Sequence, residues 1–296
     1  MPKIMRKILF TLLSLFLITP VMNADDIFFK YPQAPESLTT LNQRANYVIE
    51  HFWDQCNLKS AFSSRDKMAK AFRDYVTYMQ FASKDTTIIS INKLIKEVQK
   101  KPKNMLTLTQ IAEETLYGDS ALFWSDEIYL YFTNAAINTK KLSKAEKARY
   151  EHHSKILTNS LIGSKLPNFE FETTDGSKMH IDSINAPAII LFFNDIDCSD
   201  CQLAKVRLAT DINLNKLIER GIIKIVSIYP GKANEEWKAE ATNYPSNWVI
   251  GACDNIYDMF DLRTTPTIYQ LDDKHTIVAK NLNVDGILSV VSSINL

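Results

Sequence analysis

The sequence predicts an all-helical domain of residues 25–160 followed by an α/β domain of residues 161–296. Apolar residues in the first part recur at three- and four-residue steps, which is typical of amphipathic helices. In the second part, short apolar runs alternate with helical segments, which predicts a mostly parallel sheet with helices on both faces. A cysteine pair, Cys198 and Cys201, lies at one of the strand-to-helix junctions.

Residues 1–24 have the features of a secretory signal peptide. Basic residues precede the apolar stretch 8–18, and the small residue Ala24 marks a cleavage site. The stretch is short for a bilayer-spanning helix, and no later segment is apolar enough to cross a membrane. We therefore expect an exported, periplasmic protein with no membrane span after cleavage. An uncleaved membrane anchor is the alternative.

Charge and cysteine content exclude several classes of protein. The chain has 34 basic and 34 acidic side chains, and cleavage removes three basic residues (Lys3, Arg6 and Lys7) but no acidic one. A mildly acidic mature chain does not indicate a nucleic-acid partner. Four cysteines are too few for a disulfide-built scaffold. The five histidines show no metal-ligand spacing, so neither a metal nor another cofactor is predicted.

The helical domain is predicted from its start and stop signals. Lys101-Pro102 ends one helix, Gly118 separates two others, and Ser143 with Glu146 forms a capping box. The predicted helices span about residues 41–53, 62–79, 85–98, 104–117, 119–135 and 143–158.

The boundary between the domains is predicted at residues 163–167, which contain a glycine and a proline. Beyond it, the turn signal Thr174-Asp175-Gly176 predicts a hairpin. The predicted strands are 169–172, 179–182, 188–193, 222–229, 248–252, 267–271 and 276–280. The predicted helical segments are 199–220, 234–242, 255–261 and one that begins near residue 285.

The residues that carry chemistry are Cys198-Ser-Asp-Cys201 at the end of a buried strand and Thr265-Pro266 before a later strand. This layout is typical of a thioredoxin-type redox site. A thiol at a helix N-terminus is exposed, and the unpaired N–H groups there stabilise its thiolate. Cys198 is therefore the candidate nucleophile, and Cys201 is the candidate buried thiol that resolves the mixed disulfide.

Residues 165–296 resemble the thioredoxin-like domains of exported bacterial thiol-disulfide oxidoreductases. The opening Leu166-Pro-Asn-Phe169, the cysteine pair and Thr265-Pro266-Thr267 follow the order of that family. The resemblance implies a central mixed sheet flanked by helices. It also implies a cis Pro266 and substrate binding at Thr265 and Pro266. Residues 25–160 resemble a helical domain of unknown function that precedes thioredoxin-like domains in certain secreted bacterial proteins. The segment 44–54 carries this likeness.

The resemblance implies exported protein thiols or disulfides as substrates and a separate redox partner as electron donor. This sequence departs from the family at two positions. Asp197 stands where the family has an aromatic residue, and Phe192 stands where it has a buried acid. Phe192 cannot relay a proton. Together with Asp195 and Asp200, Asp197 places negative charge near the pair. We therefore expect the pKa of Cys198 to stay close to that of an ordinary thiol.

Other functions are open at this point. The pair could be a structural staple, or it could bind zinc with Cys253 and His180, although their spacing fits no known zinc motif. The main alternative is a non-catalytic binding or assembly protein built on the same scaffold. Cys56 and Cys253 are expected to be packed thiols, with a bridge between them as the alternative.

Overall fold

The computed structural model of the chain describes residues 28–118, 121 and 123–294. The predicted signal peptide lies outside these residues. Within the described part, no helix has both the length and the apolar character needed to cross a bilayer. The chain forms two compact units, of which the first ends at Lys100 and the second begins at Lys101.

The described residues of the first unit form three α-helices: α1 (Leu41–His51), α2 (Arg65–Met79) and α3 (Lys84–Val98). Thr40 caps α1, because its hydroxyl accepts the N–H of Gln43 while the Gln43 side chain returns to the N–H of Thr40. In the buried interior, the hydroxyl of Tyr75 donates to Ser90 (2.7 Å), which donates to the carbonyl of Ile49 (2.7 Å). The three helices predicted for this segment are confirmed.

The second unit begins with three helices: α4 (Pro102–Leu116), α5 (Asp126–Asn138) and α6 (Lys144–Asn159). The capping box of Ser143 and Glu146 is present at the start of α6. The prediction that the middle helix begins at residue 119 is wrong. Helix α5 begins at Asp126, because the hydroxyl of Ser125 accepts the N–H of Ile128 at 3.4 Å and thereby caps it there.

A seven-stranded sheet follows, built from β1 (Glu170–Thr173), β2 (Lys178–His180), β3 (Ala188–Phe193), β4 (Ile223–Tyr229), β5 (Val249–Ala252), β6 (Thr267–Asp272) and β7 (Ile277–Ala279). The spatial order is β2-β1-β5-β4-β3-β6-β7. The predicted mixed sheet and its opening hairpin are confirmed. The expectation of a mostly parallel sheet is wrong, because only β3–β4 and β4–β5 pair in parallel. A short 3₁₀ helix (Ile256–Asp258), not a crossover helix, connects β5 to β6.

The helices of the α/β part are α7 (Ser199–Thr210), α8 (Ile212–Glu219), α9 (Glu235–Ala241) and α10 (Val284–Ser293). The prediction of one continuous helix over 199–220 is wrong. Asp211 leaves the helical conformation, and its carboxylate accepts the N–H of Leu214 at 2.8 Å. It therefore ends α7 and caps α8, a role that aspartate favours over a place inside a helix.

Strand β3 is buried on both faces of the sheet, which explains its continuous apolar run. Ile190 and Phe192 belong to a core that includes residues of α7, α8 and α10. Leu191 and Phe193 face the other way and pack in a core with Phe260. The strand that leads to Cys198 is thereby fixed from both sides.

Helices α4–α6 pack with the sheet in the second unit. The amide of Asn159 donates to the carbonyl of Met259 (2.9 Å), and the hydroxyl of Ser160 accepts the N–H of Asp261 (3.3 Å). The hydroxyl of Tyr117 donates to the carboxylate of Asp261 (3.4 Å). The chain changes from helices to strands near residue 160, as predicted. That this point separates independently folding domains stays a prediction.

Comparing the fragment 161–296 with the fragment 101–296 tests how far the sheet depends on these helices. The shorter fragment lacks Asp126, the buried carboxylate that pairs with Arg263 and Lys280. We expect it to be less stable by at least about 3 kcal/mol, because buried charges would lose their partners. Urea unfolding of both fragments measures the difference. Equal stability would show that the sheet needs no support from residues 101–160.

Candidate active site

Strand β3 and helix α7 place the two cysteines. Cys198 caps α7, and its Sγ accepts the N–H of Cys201 at 3.1 Å. The two residues form a disulfide, with their Cα atoms 5.1 Å apart. Cys198 is half-buried, whereas Cys201 is only 1% exposed. Attack from outside would therefore reach Cys198 first, and the helix N-terminus would stabilise its thiolate.

The loop before β6 lies directly beside Cys198. The peptide bond between Thr265 and Pro266 is cis, as the resemblance implies. The carbonyl oxygen of Thr265 lies 3.6 Å from Sγ of Cys198. This is a contact and not a hydrogen bond in the disulfide form, since the sulfur carries no hydrogen. After reduction, the Cys198 thiol has an acceptor in place.

The surroundings of the pair are acidic and partly aromatic. Asp197 and Asp200 are exposed, and Asp195 is half-buried. Burial and then the nearby charge of Asp195 raise the pKa of both Tyr229 and Tyr257. Tyr257 is 44% exposed. The acidic loop before Cys198 therefore lies close to two tyrosines, one of which faces solvent.

Phe192 is fully buried and packs edge-on against Trp248, with ring centroids 6.4 Å apart. Its position therefore supplies no proton-transferring group. A buried charged side chain lies elsewhere: Lys205 is one turn after Cys201 on the same buried face of α7. Its Nζ lies 2.5 Å from Oε1 of Glu240 and 4.5 Å from the ring centroid of Tyr244.

The network continues toward the end of β3. The hydroxyl of Tyr244 accepts a hydrogen bond from the amide of Asn194, whose oxygen accepts one from Ser227 at 2.7 Å. Asn194 is 3% exposed and Ser227 is 2% exposed. A chain of satisfied polar groups thus runs from the interior of the sheet to the Lys205–Glu240 pair on α7 and α9.

Comparison with known proteins supports both predicted resemblances. Residues 14–160 match the family model described as Domain of unknown function (DUF5106). A thioredoxin-like protein from Bacteroides caccae ATCC 43185 has a TM-score of 0.75 and 23% identity, covering 90% of this chain and 98% of its own. Residues 14–160 are therefore similar to the DUF5106 family, and the chain shares the fold of this thioredoxin-like protein.

Two smaller structures each cover less than half of this chain. The C-terminal domain of an uncharacterized protein from Bacteroides fragilis NCTC 9343 is 25% identical over 46% of this chain and 99% of its own, with a TM-score of 0.43. A domain of a possible thiol-disulfide isomerase from Cytophaga hutchinsonii ATCC 33406 is 25% identical over 45% of this chain and 91% of its own, with a TM-score of 0.38. No curated protein matches the chain.

The other two cysteines are free thiols, so the Cys56–Cys253 bridge considered from the sequence is absent. Burial raises the pKa of Cys56 to about 11. It also raises the pKa of Cys253, whose thiol donates to Oδ1 of Asn255 at 3.1 Å. Both therefore stay protonated at neutral pH and react slowly. Cys253 is 5% exposed, in line with the predicted packing role.

The structure brings the four predicted site residues, Cys198, Cys201, Thr265 and Pro266, together. Their roles in catalysis and substrate binding stay a prediction. Sequence reasoning missed the tyrosines and the Lys205–Glu240 network. A lysine four residues after Cys201 signals a shared helix face, but its partner on α9 is 35 residues away and has no sequence signature.

Replacing Glu240 with alanine tests the polar network beneath the thioredoxin-like site. The change leaves the ammonium of Lys205, only 8% exposed, without its counter-charge. We expect a loss of about 3 kcal/mol in unfolding free energy at neutral pH, as for other broken buried pairs. The control is Glu235→Ala on the same helix, whose pair with Lys238 is solvent-exposed and should matter little. Equal losses in urea unfolding would contradict this account.

The effect of Glu240→Ala should shrink in acid. Burial alone would raise the pKa of Glu240, but hydrogen bonds from Lys205, Asn243 and Gln202 hold it below its usual range. A carboxyl with a lowered folded-state pKa stabilises the fold above its unfolded-state pKa, and this stabilisation is lost as pH falls through the folded value. Unfolding at neutral and acidic pH measures this convergence. A difference that grows in acid would contradict it.

Proposed function

We propose that the protein is an extracytoplasmic thiol-disulfide oxidoreductase, a reductase or isomerase of exported proteins. The observation that supports this most strongly is the position of Cys198 at the start of α7, with the carbonyl of Thr265 3.6 Å from its sulfur. A redox cysteine needs a stabilised thiolate and a surface on which a substrate chain can lie. The N-terminus of α7 favours the Cys198 thiolate against the nearby acids, and the main chain of Thr265 offers the surface.

The proposed reaction begins with the reduced pair. The Cys198 thiolate attacks one sulfur of a substrate disulfide, a mixed disulfide forms, and the other substrate sulfur leaves as a thiolate. Cys201, after losing its proton, attacks Sγ of Cys198 and displaces the second substrate thiolate. The substrate gains two electrons and two protons, and the protein is left with the Cys198–Cys201 disulfide present in this structure.

Thr265 is the proposed docking residue for the substrate chain. Beside a cis proline, its main-chain N–H and C=O can pair with an extended peptide in the manner of an added strand. Its carbonyl already lies next to Cys198, so a paired substrate would pass close to the attacking sulfur. This contact uses main-chain atoms, which suits a range of protein substrates.

Each cycle consumes the reduced pair, so the protein needs an electron-donor partner. A dithiol outside the cytoplasm has no soluble reductant supply of its own. The donor is therefore proposed to be another protein with a dithiol that reduces the Cys198–Cys201 disulfide by the same exchange. The periplasm is the proposed location, supported by the predicted signal peptide.

A binding or assembly protein is the second candidate. Phe192, which replaces the buried acid of related oxidoreductases, favours it because the thioredoxin-like domain then lacks the usual proton acceptor near Cys201. In that case the cysteines would be dispensable. Cysteine replacement therefore separates the two candidates.

We predict that the protein accelerates the reduction of insulin disulfides by dithiothreitol and that Cys198→Ser abolishes this acceleration. Cys201→Ser should instead accumulate a mixed disulfide with its substrate, since Cys198 can still attack but nothing resolves the product. Insulin turbidity measures the first effect, and non-reducing electrophoresis measures the second.

Cys253→Ser is the matched control, because Cys253 is a buried, hydrogen-bonded thiol of the same domain. It should retain activity. A Cys198→Ser variant with full activity would rule out the oxidoreductase and leave the scaffold.

Export is tested by the start of the mature protein. When the full chain is produced in a Gram-negative host, we expect it in the periplasmic fraction with Asp25 as its first residue, because the signal peptide is cleaved after Ala24. Intact-mass measurement of the purified protein determines this. A chain that retains residues 1–24 and stays with the membrane would support the anchor alternative.

A further inference from the structure

Arg263 lies two residues before Thr265 and is held almost entirely by protein contacts, with its side chain 11% exposed. Its Nη1 donates to the carbonyl of Tyr117 (2.6 Å), and Nη2 donates to the carboxylate of Asp126 (2.8 Å). Nε donates to the carboxylate of Asp261 (3.0 Å). Tyr117 and Asp126 belong to the segment that matches DUF5106, so this segment holds a side chain two residues before the proposed docking residue Thr265.

Two aromatic rings fix the plane of the guanidinium group. Its central carbon lies 3.9 Å from the ring centroid of Tyr117 and 4.8 Å from that of Trp124. Tyr117 in turn stacks on Tyr129, with centroids 4.9 Å apart and planes 16° apart. A planar arginine can donate along several directions while stacking, and a lysine cannot reproduce this arrangement.

The charges of this cluster balance. Asp126 also pairs with Lys280, which follows β7, so two cations face the two carboxylates of Asp126 and Asp261. Asp126 is 9% exposed and Asp261 is 7% exposed. Removing the positive charge of Arg263 would leave buried carboxylates under-compensated, and an informative variant must therefore keep it.

The chain between Arg263 and the docking residue is short. Asp261 is fixed through its own N–H to Ser160 and through its carbonyl, which accepts from Tyr269 at 3.3 Å. The hydroxyl of Thr267 donates to the carbonyl of Thr264. The backbone on both sides of Thr265 is therefore held, and Arg263 adds a link to the helices two residues before Thr265.

We propose that Arg263 is a positioning residue for substrate docking, through which the segment that matches DUF5106 fixes the main chain of Thr265 beside Cys198. The inference rests on the proposed function for its substrate, but the fixing of the loop can be measured without catalysis. In this proposal, the helices around Tyr117 and Asp126 help to position the substrate-docking loop beside Cys198.

The test is Arg263→Lys in the full mature protein, with Arg149→Lys as the matched control. Arg149 pairs with Glu113 (3.0 Å) and lies over the ring of Tyr150, all within the helical region. Hydrogen exchange of the peptide 262–268 should become faster in Arg263→Lys and remain unchanged in Arg149→Lys. The KM for insulin should rise roughly tenfold, because small misplacements of a docking group carry costs of this order.

Two further readouts separate positioning from loss of the redox centre. The reduction potential of the Cys198–Cys201 pair and its kcat/KM for oxidised glutathione should stay as in the wild type, because a small disulfide does not need an extended docking strand. If Arg263→Lys does not fold, Asp126→Glu replaces it with the same expected pattern, because this change keeps the charge and moves the carboxylate that holds Arg263.

Faster exchange together with a raised KM for insulin supports the proposal. Unchanged exchange, or an equal loss of activity in Arg149→Lys, overturns it. If the wild-type protein reduces no protein disulfide, the proposed function fails, and the exchange measurement still decides whether Arg263 fixes the loop.

Discussion

The antiparallel pairing of β3 with β6 is the constraint on which the site depends. The two strands are in register from Ala188 opposite Asp272 to Phe193 opposite Thr267, where β3 ends and β6 begins. Consequently the helix that starts with Cys198 and the loop that carries Thr265 emerge at the same edge of the sheet. A register shift of one residue would turn the side chains of β6 to the wrong face and displace the loop from the sulfur.

Support for this edge comes from both sides of the sheet and from the helices before it. Strand β3 is buried on both faces, and the Lys205–Glu240 pair ties α7 to α9. Arg263 ties the loop before β6 to Tyr117 and Asp126. The Cys198–Cys201 pair lies among exposed acidic residues, whose charge opposes a thiolate at Cys198. The N-terminus of α7 favours that thiolate.

Local features of the sequence were enough to predict much of this architecture. The hairpin around Gly176, the buried run of β3 and the capping box at Ser143 each depend on neighbouring residues, and all are present. The cysteine pair and the Thr-Pro step fall in a recognisable order, so the proximity of these four residues could be predicted from the sequence.

What could not be predicted depends on contacts between distant residues. Asp211 interrupts a helix whose apolar spacing continues through it. Asp126 is 137 residues from Arg263, and neither has a motif that would connect it to the cysteine pair. The direction of β6 depends on the connection from β5, which contains only a short 3₁₀ helix. Sequence periodicity does not distinguish this short connection from a crossover helix.

The most direct test of the central claim is the reduction potential of the Cys198–Cys201 pair in the purified mature protein, measured by equilibration with dithiothreitol or glutathione buffers and thiol trapping. The acids around Cys198 disfavour a stable thiolate, so we expect a reversible two-electron couple below about −200 mV, in the range of a reductase supplied by a partner. A pair that does not equilibrate while the protein remains folded would contradict a redox role.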